Sequence, residues 1–347
     1  MISNDKKFSN YFNDWLYGQD GYYTNYKTIG KDGDFYTAVS SSKFFGGSIG
    51  KRAVDTIKDG FLPENTTILE IGAHHGYLLA DMIEFIFTLQ PELIKSLKFA
   101  IVEKHEHLRK KQKEYFYSSF GDDIQLIHYN SLEEVNLSSA FVVANEIFDA
   151  FSCELVYTTK DDILQYAVVE NHKIKFVNND SKALENHCKK YSITKGEVAI
   201  DYDNFAKQLS NSIDNFEFIT FDYGEKYPRN DFSCRVYEKH RVYPIFEENI
   251  NLQKLFGKTD ITYDVNFSHI IDSFENCGGK CEIYETQLKA LVNFGIVELL
   301  EMLLNNTNEK SYLRELNRAK TLLNPTGMGD RFKMMCIRKS IEELNNK

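Results

Sequence analysis

Between Thr66 and Asn145 the chain alternates short, nearly all-apolar runs with stretches whose apolar residues recur at helical spacing. Thr67-Ile68-Leu69-Glu70-Ile71, Lys98-Phe99-Ala100-Ile101-Val102-Glu103, Ile124 to His128 and Ala140 to Asn145 read as strands. Tyr77 to Leu89, closed by Pro91, and Glu106 to Phe116 read as helices. Strands apolar on both faces must be covered on both faces, so the expectation is an α/β fold with a mostly parallel sheet. Further on, Glu154 to Ile200 reads as a meander of strands, and Phe218 to Gly224 as another buried strand and turn. From Tyr237 to about Leu323 helical patterns dominate, which suggests a largely helical insertion or cap. The apolar run Phe332 to Ile337 is then expected to return to the main sheet. The predicted division is 1–60, 61–236, 237–325 and 326–347.

Composition narrows the partners. A formal net charge of −10 argues against non-specific nucleic-acid binding, which rests on clustered Lys and Arg neutralising phosphates. No run approaches the ~18 apolar residues of a membrane-spanning helix. The polar stretch Met1 to Asn13 has neither the apolar segment of a secretory signal nor the arginines of a mitochondrial presequence. The expected setting is a bacterial cytoplasm, or a mitochondrial matrix if the chain is already processed. Cys153, Cys188, Cys234, Cys277, Cys281 and Cys336 include one near-neighbour pair and no second pair at zinc-site spacing, so no metal is expected.

The first strand runs into Glu70-Ile71-Gly72-Ala73-His74-His75-Gly76 and then into a helix. Glycines let the backbone turn tightly against a ligand, and a helix start offers free N–H groups. Glu103, at the end of the next strand, stands where an acid binds ribose hydroxyls in nucleotide folds. A dinucleotide site would want G-x-G-x-x-G. Here Glu70 leads an E-x-G-x-x-x-G turn, and an acid there would repel a pyrophosphate but suit an ammonium and a sulfonium. The spacing therefore favours S-adenosylmethionine over NAD. His74 and His75 either point to solvent or crowd the methionine portion of such a ligand.

Asn145-Glu146-Ile147-Phe148-Asp149-Ala150 abruptly ends the fourth apolar run, where the carboxyl ends of strands border a ligand crevice. Glu146 and Asp149 could hold a guanidinium or ammonium and take up a released proton. For Asp149, capping of a following helix is an equal alternative.

These blocks resemble the MidA-like family of class I methyltransferases. Gly21-Tyr22-Tyr23-Thr24, Gly33-Asp34-Phe35-Tyr36-Thr37-Ala38 and Phe45-Gly46 resemble its N-terminal signature. Glu70 to Ala73 with Gly76, Val102-Glu103 with Leu108-Arg109 and Gln112, and Asn145-Glu146 with Asp149-Ala150 follow in order. Asp222-Tyr223-Gly224, Tyr237 with His240, Asp260-Ile261-Thr262, Thr286-Gln287 and Met328-Gly329 resemble later blocks. The resemblance implies a Rossmann-like core, an N-terminal segment over the cofactor, and a helical insertion. It implies that Gly33, Asp34, Thr37, Gly72, Glu103 and Asn145 line the pocket and that Glu146 and Asp149 face the acceptor. It also implies arginine methylation of a protein, with a core subunit of respiratory complex I as the acceptor known for mitochondrial members. Departures stand beside it: Val39-Ser40 replaces the family's Pro-Glu, and Phe151-Ser152 its Leu-Pro. Two alternatives stay open, a non-catalytic assembly protein on a degenerate methyltransferase fold and a small-molecule methyltransferase.

Overall fold

The computed structural model describes residues 5–24, 37–238 and 241–341. Contacts divide the chain into two units. One takes Thr37–Glu146, Ala206–Asp222 and Ser273–Lys347, and the other Met1–Tyr36, Ile147–Phe205 and Tyr223–Asp272.

The first unit is doubly wound. Its strands lie in the order Lys280–Thr286, Phe332–Lys339, Ile213–Glu225, Leu137–Asn145, Thr67–Ile71, Lys98–Val102 and Leu126–Tyr129. Neighbours from Ile213–Glu225 to Leu126–Tyr129 pair in parallel, whereas Lys280–Thr286 runs antiparallel to Phe332–Lys339. Every residue of Thr67–Ile71 is buried, as are Ala140 to Ala144 in the strand beside it, which is why these runs carry no polar alternation. From Thr67–Ile71 the chain first winds outward through Lys98–Val102 to Leu126–Tyr129. It then reverses and lays Leu137–Asn145 on the opposite flank. That reversal is a topological switch point, and in open α/β sheets a crevice forms there at the carboxyl ends of the strands.

Helices Phe44–Lys58 and Tyr77–Leu89 pack closely because the first presents glycine: a Cβ on Gly50 would lie 2.9 Å from the carbonyl oxygen of Met82. Leu291, Phe294, Ile296, Leu299, Leu300, Ala319 and Leu322, from the helices after Gln287, join Phe44 and Phe45 in the same core. Each such side chain contributes about 1.5–3 kcal/mol on full burial, Ala319 less. The boundaries thus fall elsewhere than at 237 and 325. Amphipathic spacing shows that a helix buries one face, but not what it buries it against.

The other unit is built on antiparallel strands. Cys153–Thr158 lies between Leu164–Glu170 and Lys195–Ala199, and Leu164–Glu170 also pairs with Lys173–Asn178 and with Lys6–Lys7. Helix Phe8–Tyr17 buries Phe8, Phe12, Trp15 and Leu16 here, and the Trp15 indole donates to the Thr259 carbonyl at 2.7 Å. Arg235–Glu238, Arg241–Pro244 and Asp260–Thr262 make a small antiparallel sheet where helix had been expected. Val242 and Tyr243 are β-formers in a run too short for periodicity to reveal.

Candidate cofactor and acceptor site

At the switch point of the doubly wound unit, Thr67–Ile71 ends in Gly72, which has φ 75°, and the chain enters helix Tyr77–Leu89 through Gly76 at φ 79°. Both backbones are left-handed, so glycine is the residue that fits them without strain. At Gly76 a Cβ would also lie 3.0 Å from the Phe116 ring. Gly76, at the N-cap, has no side chain to cap the helix. The helix's Leu79 amide donates instead to Glu70 Oε2 at 3.1 Å. Burial pushes the Glu70 carboxyl up to about 8, the Leu79 amide pulls it back, and Asp81 pushes it further up. Glu70 therefore braces the strand to the helix start, an internal engagement that the reading of it as partner to the cofactor's cations had not included.

Glu103 follows Lys98–Val102. Its Oε1 accepts from the His105 amide at 2.9 Å. Burial raises the Glu103 carboxyl, against the pull of the His105 amide and Arg109. His74 and His75 are half-buried. Their rings meet edge-on at 4.1 Å, and His75 stacks on Tyr77 at 5.1 Å and 21°. Burial, then Lys111, lowers the His75 pKa, which favours the neutral ring near pH 7.

Asn145 and Glu146 end the neighbouring strand. Asn145 Nδ2 donates to Glu146 Oε1 at 2.9 Å, and the Ala38 amide donates to the same oxygen at 3.4 Å. The Glu146 backbone has φ 54° and its amide donates to the Phe221 carbonyl at 2.9 Å. A left-handed glutamate costs roughly 1–2 kcal/mol, and strain of that kind collects at functional sites. Asn145 Oδ1 is buried with no hydrogen-bond partner among the described residues. The Thr37 hydroxyl caps helix Ala38–Ser41 through the Ser40 amide at 3.2 Å. Gly33, Asp34 and His240 lie outside the described residues.

Asp149 belongs to the other unit. It sits in the short turn Phe148–Ala150, where its side chain is buried. Burial raises its carboxyl, the Arg235 guanidinium opposes that, and Asp264 adds to it. Arg235 donates to Asp264 at 2.5 Å and to the Tyr237 hydroxyl at 2.9 Å. Sequence reasoning missed Arg235 and Asp264, because nothing local marks two residues so far along the chain as neighbours of Asp149.

The doubly wound residues suit an S-adenosyl ligand. The orphaned Asn145 oxygen calls for a donor, the Glu103 carboxylate ends the neighbouring strand, and the turn before the helix is built on glycine. Among the described residues no group of three His, Cys, Asp or Glu could hold a metal ion, and no helix is long and apolar enough to cross a membrane.

Residues 48–285 match the Methyltransf_28 family of S-adenosyl-L-methionine-dependent methyltransferases. The chain belongs to this family. Its cofactor is S-adenosylmethionine. A similar protein is the mitochondrial protein arginine methyltransferase NDUFAF7 of Xenopus tropicalis, 23% identical over 359 residues that cover 91% of this chain and 78% of the relative. The Drosophila melanogaster homologue is 23% identical over 356 residues, covering 92% and 78%. A COG1565 superfamily member from Burkholderia thailandensis, solved with S-adenosyl-homocysteine bound, superposes with a TM-score of 0.81 at 21% identity, covering 96% of this chain and 88% of that one. Its likeness shows the fold, a Rossmann-like class I methyltransferase. Methyltransf_28 members act by methyl transfer, so the MidA-like resemblance and the preference for S-adenosylmethionine over NAD both hold.

Proposed function

We propose that this methyltransferase acts on an arginine guanidinium of a protein. The observation that carries the reading is the Glu146 carboxylate, held in a strained backbone at the end of strand Leu137–Asn145. A carboxylate in that place suits a ligand rich in N–H donors, and the arginine methyltransferases to which the chain is similar point the same way. Thr37, Gly72, Ala73, Gly76, Glu103 and Asn145 would hold the cofactor, with Glu70 fixing the turn and Gly33 and Asp34 carried over from the family pattern. The bound cofactor supplies an electrophilic methyl on a sulfonium. Glu146 would accept a guanidinium N–H, aim the nitrogen at that methyl, and receive the proton released on transfer. Asp149 is carried over from the family pattern alone as a further acceptor residue. A respiratory complex I core subunit is the candidate protein from the family resemblance, and the bacterial cytoplasm or mitochondrial matrix the corresponding place.

The test pairs S-adenosylmethionine with arginine-containing proteins and peptides and their lysine replacements, with mass spectrometry of the products. Methylated arginine is expected, with Glu146→Gln slowing transfer by about a hundredfold while S-adenosylhomocysteine still binds. Methyl found only on lysine or on small molecules would reject the acceptor.

A further inference from the structure

In the antiparallel unit, strand Cys153–Thr158 serves two faces of its sheet. Val156 packs in a small core with Cys188 and Leu184 of helix Lys182–Tyr191, so Tyr157, the next residue, points to the opposite face. There it meets Phe176 at 6.1 Å between ring centroids, and Ala167, the register partner of Phe176, leaves room for the contact. Phe232 lies 5.8 Å and Phe246 6.1 Å from the Phe176 ring, and these two are 4.8 Å apart. Four aromatic rings thus share one patch, yet Phe246 is 44% exposed and Tyr157 36%. Single exposed aromatics are ordinary, whereas a contiguous group marks a binding surface.

The charge beside the patch decides what fits it. Lys195 Nζ sits over the Phe232 ring at 5.1 Å and pairs with Asp231 at 2.5 Å, so a cation already rests on one of the rings. Lys195 and Asp231 also line an adjoining depression, in which Glu197, Glu225, Asp231 and Asp264 outnumber Lys195 and Arg229. Arg235, behind Asp264, does not reverse that sign. The whole chain carries −10, which disfavours a second copy of itself and draws a basic partner.

We propose that Tyr157, Phe176, Phe232 and Phe246, with the acidic depression beside them, form the docking surface for a basic segment of the protein acceptor. The inference rests on the reading that the acceptor is a protein arginine, and it adds a surface that holds a stretch of that protein away from the methylated residue. Arginine and lysine side chains stack on the open ring faces as Lys195 does on Phe232, and the carboxylates attract them.

The experiment is fluorescence anisotropy of the full chain with a labelled peptide, Gly-Arg-Gly-Arg-Gly-Arg-Gly, and its citrulline counterpart, which keeps the shape and loses the charge. The proteins are wild type, the double variant Tyr157→Ser/Phe246→Ser, and Phe246→Trp, which keeps a ring. Thermal melts and S-adenosylhomocysteine titration check that these exposed changes leave the fold and cofactor affinity unaltered. The arginine peptide is expected to bind about tenfold tighter than the citrulline one, to lose about tenfold in the double variant, and to keep its affinity in Phe246→Trp. In methyl transfer to the same peptide the double variant should raise KM and leave kcat unchanged. Equal binding of the two peptides, binding of neither, or equal affinity in wild type and double variant would overturn the inference. So would light scattering that shows a wild-type dimer dissolved by the double variant, because a second copy would then cover the patch. Transfer to arginine with an unmoved KM would overturn it and leave the acceptor reading intact. Patch-dependent binding with no methyl on arginine would support the surface and reject the acceptor.

Discussion

Glu70 spends its carboxyl on the Leu79 amide while buried beneath the glycine turn, and that combination has a pH signature. Its folded pKa is pushed up to about 8 from an ordinary 4.5, so between those values the folded state holds a proton that the unfolded chain has released. This share of stability is therefore full below about 4.5 and is lost as pH rises through 8. Glu70→Gln keeps an acceptor for Leu79 and cannot ionise. In urea titrations it should lose less stability than wild type between pH 5 and pH 8, the difference being on the order of 1–3 kcal/mol. Parallel curves for the two proteins would show that Glu70 titrates normally. At this scale the sequence offered residue types and not partners. Glu70, Gly72 and Gly76 were legible as a turn because glycine and an acid between a strand and a helix carry a conformational meaning. The left-handed Glu146 was not, since only Gly, Asn and Asp announce that backbone in advance.

Glu217 is fully buried in strand Ile213–Glu225 and joins three elements. Arg52, from helix Phe44–Lys58, meets it through two nitrogens at 2.7 and 2.9 Å, Arg338, from strand Phe332–Lys339, at 2.6 Å, and Thr56 at 3.0 Å. Removing the anion would leave two arginines facing a buried void. Glu217→Ala is expected to cost about 3–5 kcal/mol, while replacing Glu217, Arg52 and Arg338 together with Leu, Met and Met should cost much less. Equal losses in chemical denaturation would mean that packing and not charge holds the junction. The strands and helices themselves were readable from periodicity. This junction was not, because Glu217 and Arg338 are 121 residues apart and local pattern carries no information about such a pair.

The whole molecule is assembled from pieces that leave the doubly wound unit and come back; the last return, at Phe332 to Ile337, was legible as an apolar run, whereas the earlier one at Ala206 was not. Strand Phe332–Lys339 is the last return and fills the place between Ile213–Glu225 and Lys280–Thr286. Ending the chain after Asn324 would remove it and strip cover from the buried run Phe332 to Ile337's neighbours. The expected result is insoluble protein on expression, and a soluble, cooperatively melting product would show that the sheet closes without it. Thr37, Glu70, Gly72, Gly76, Glu103, Asn145 and Glu146, by contrast, all fall in the uninterrupted piece Thr37–Glu146. During synthesis this piece leaves the ribosome before the other two pieces of its unit. Yet strand Leu137–Asn145 must wait about seventy residues for Ile213–Glu225, which at roughly 5–20 residues per second is several seconds. For that interval Phe141, Val142 and Val143 form an apolar edge with one flank open, so the nascent chain's exposure to aggregation and its demand on chaperones are set by the long excursion between two adjacent strands.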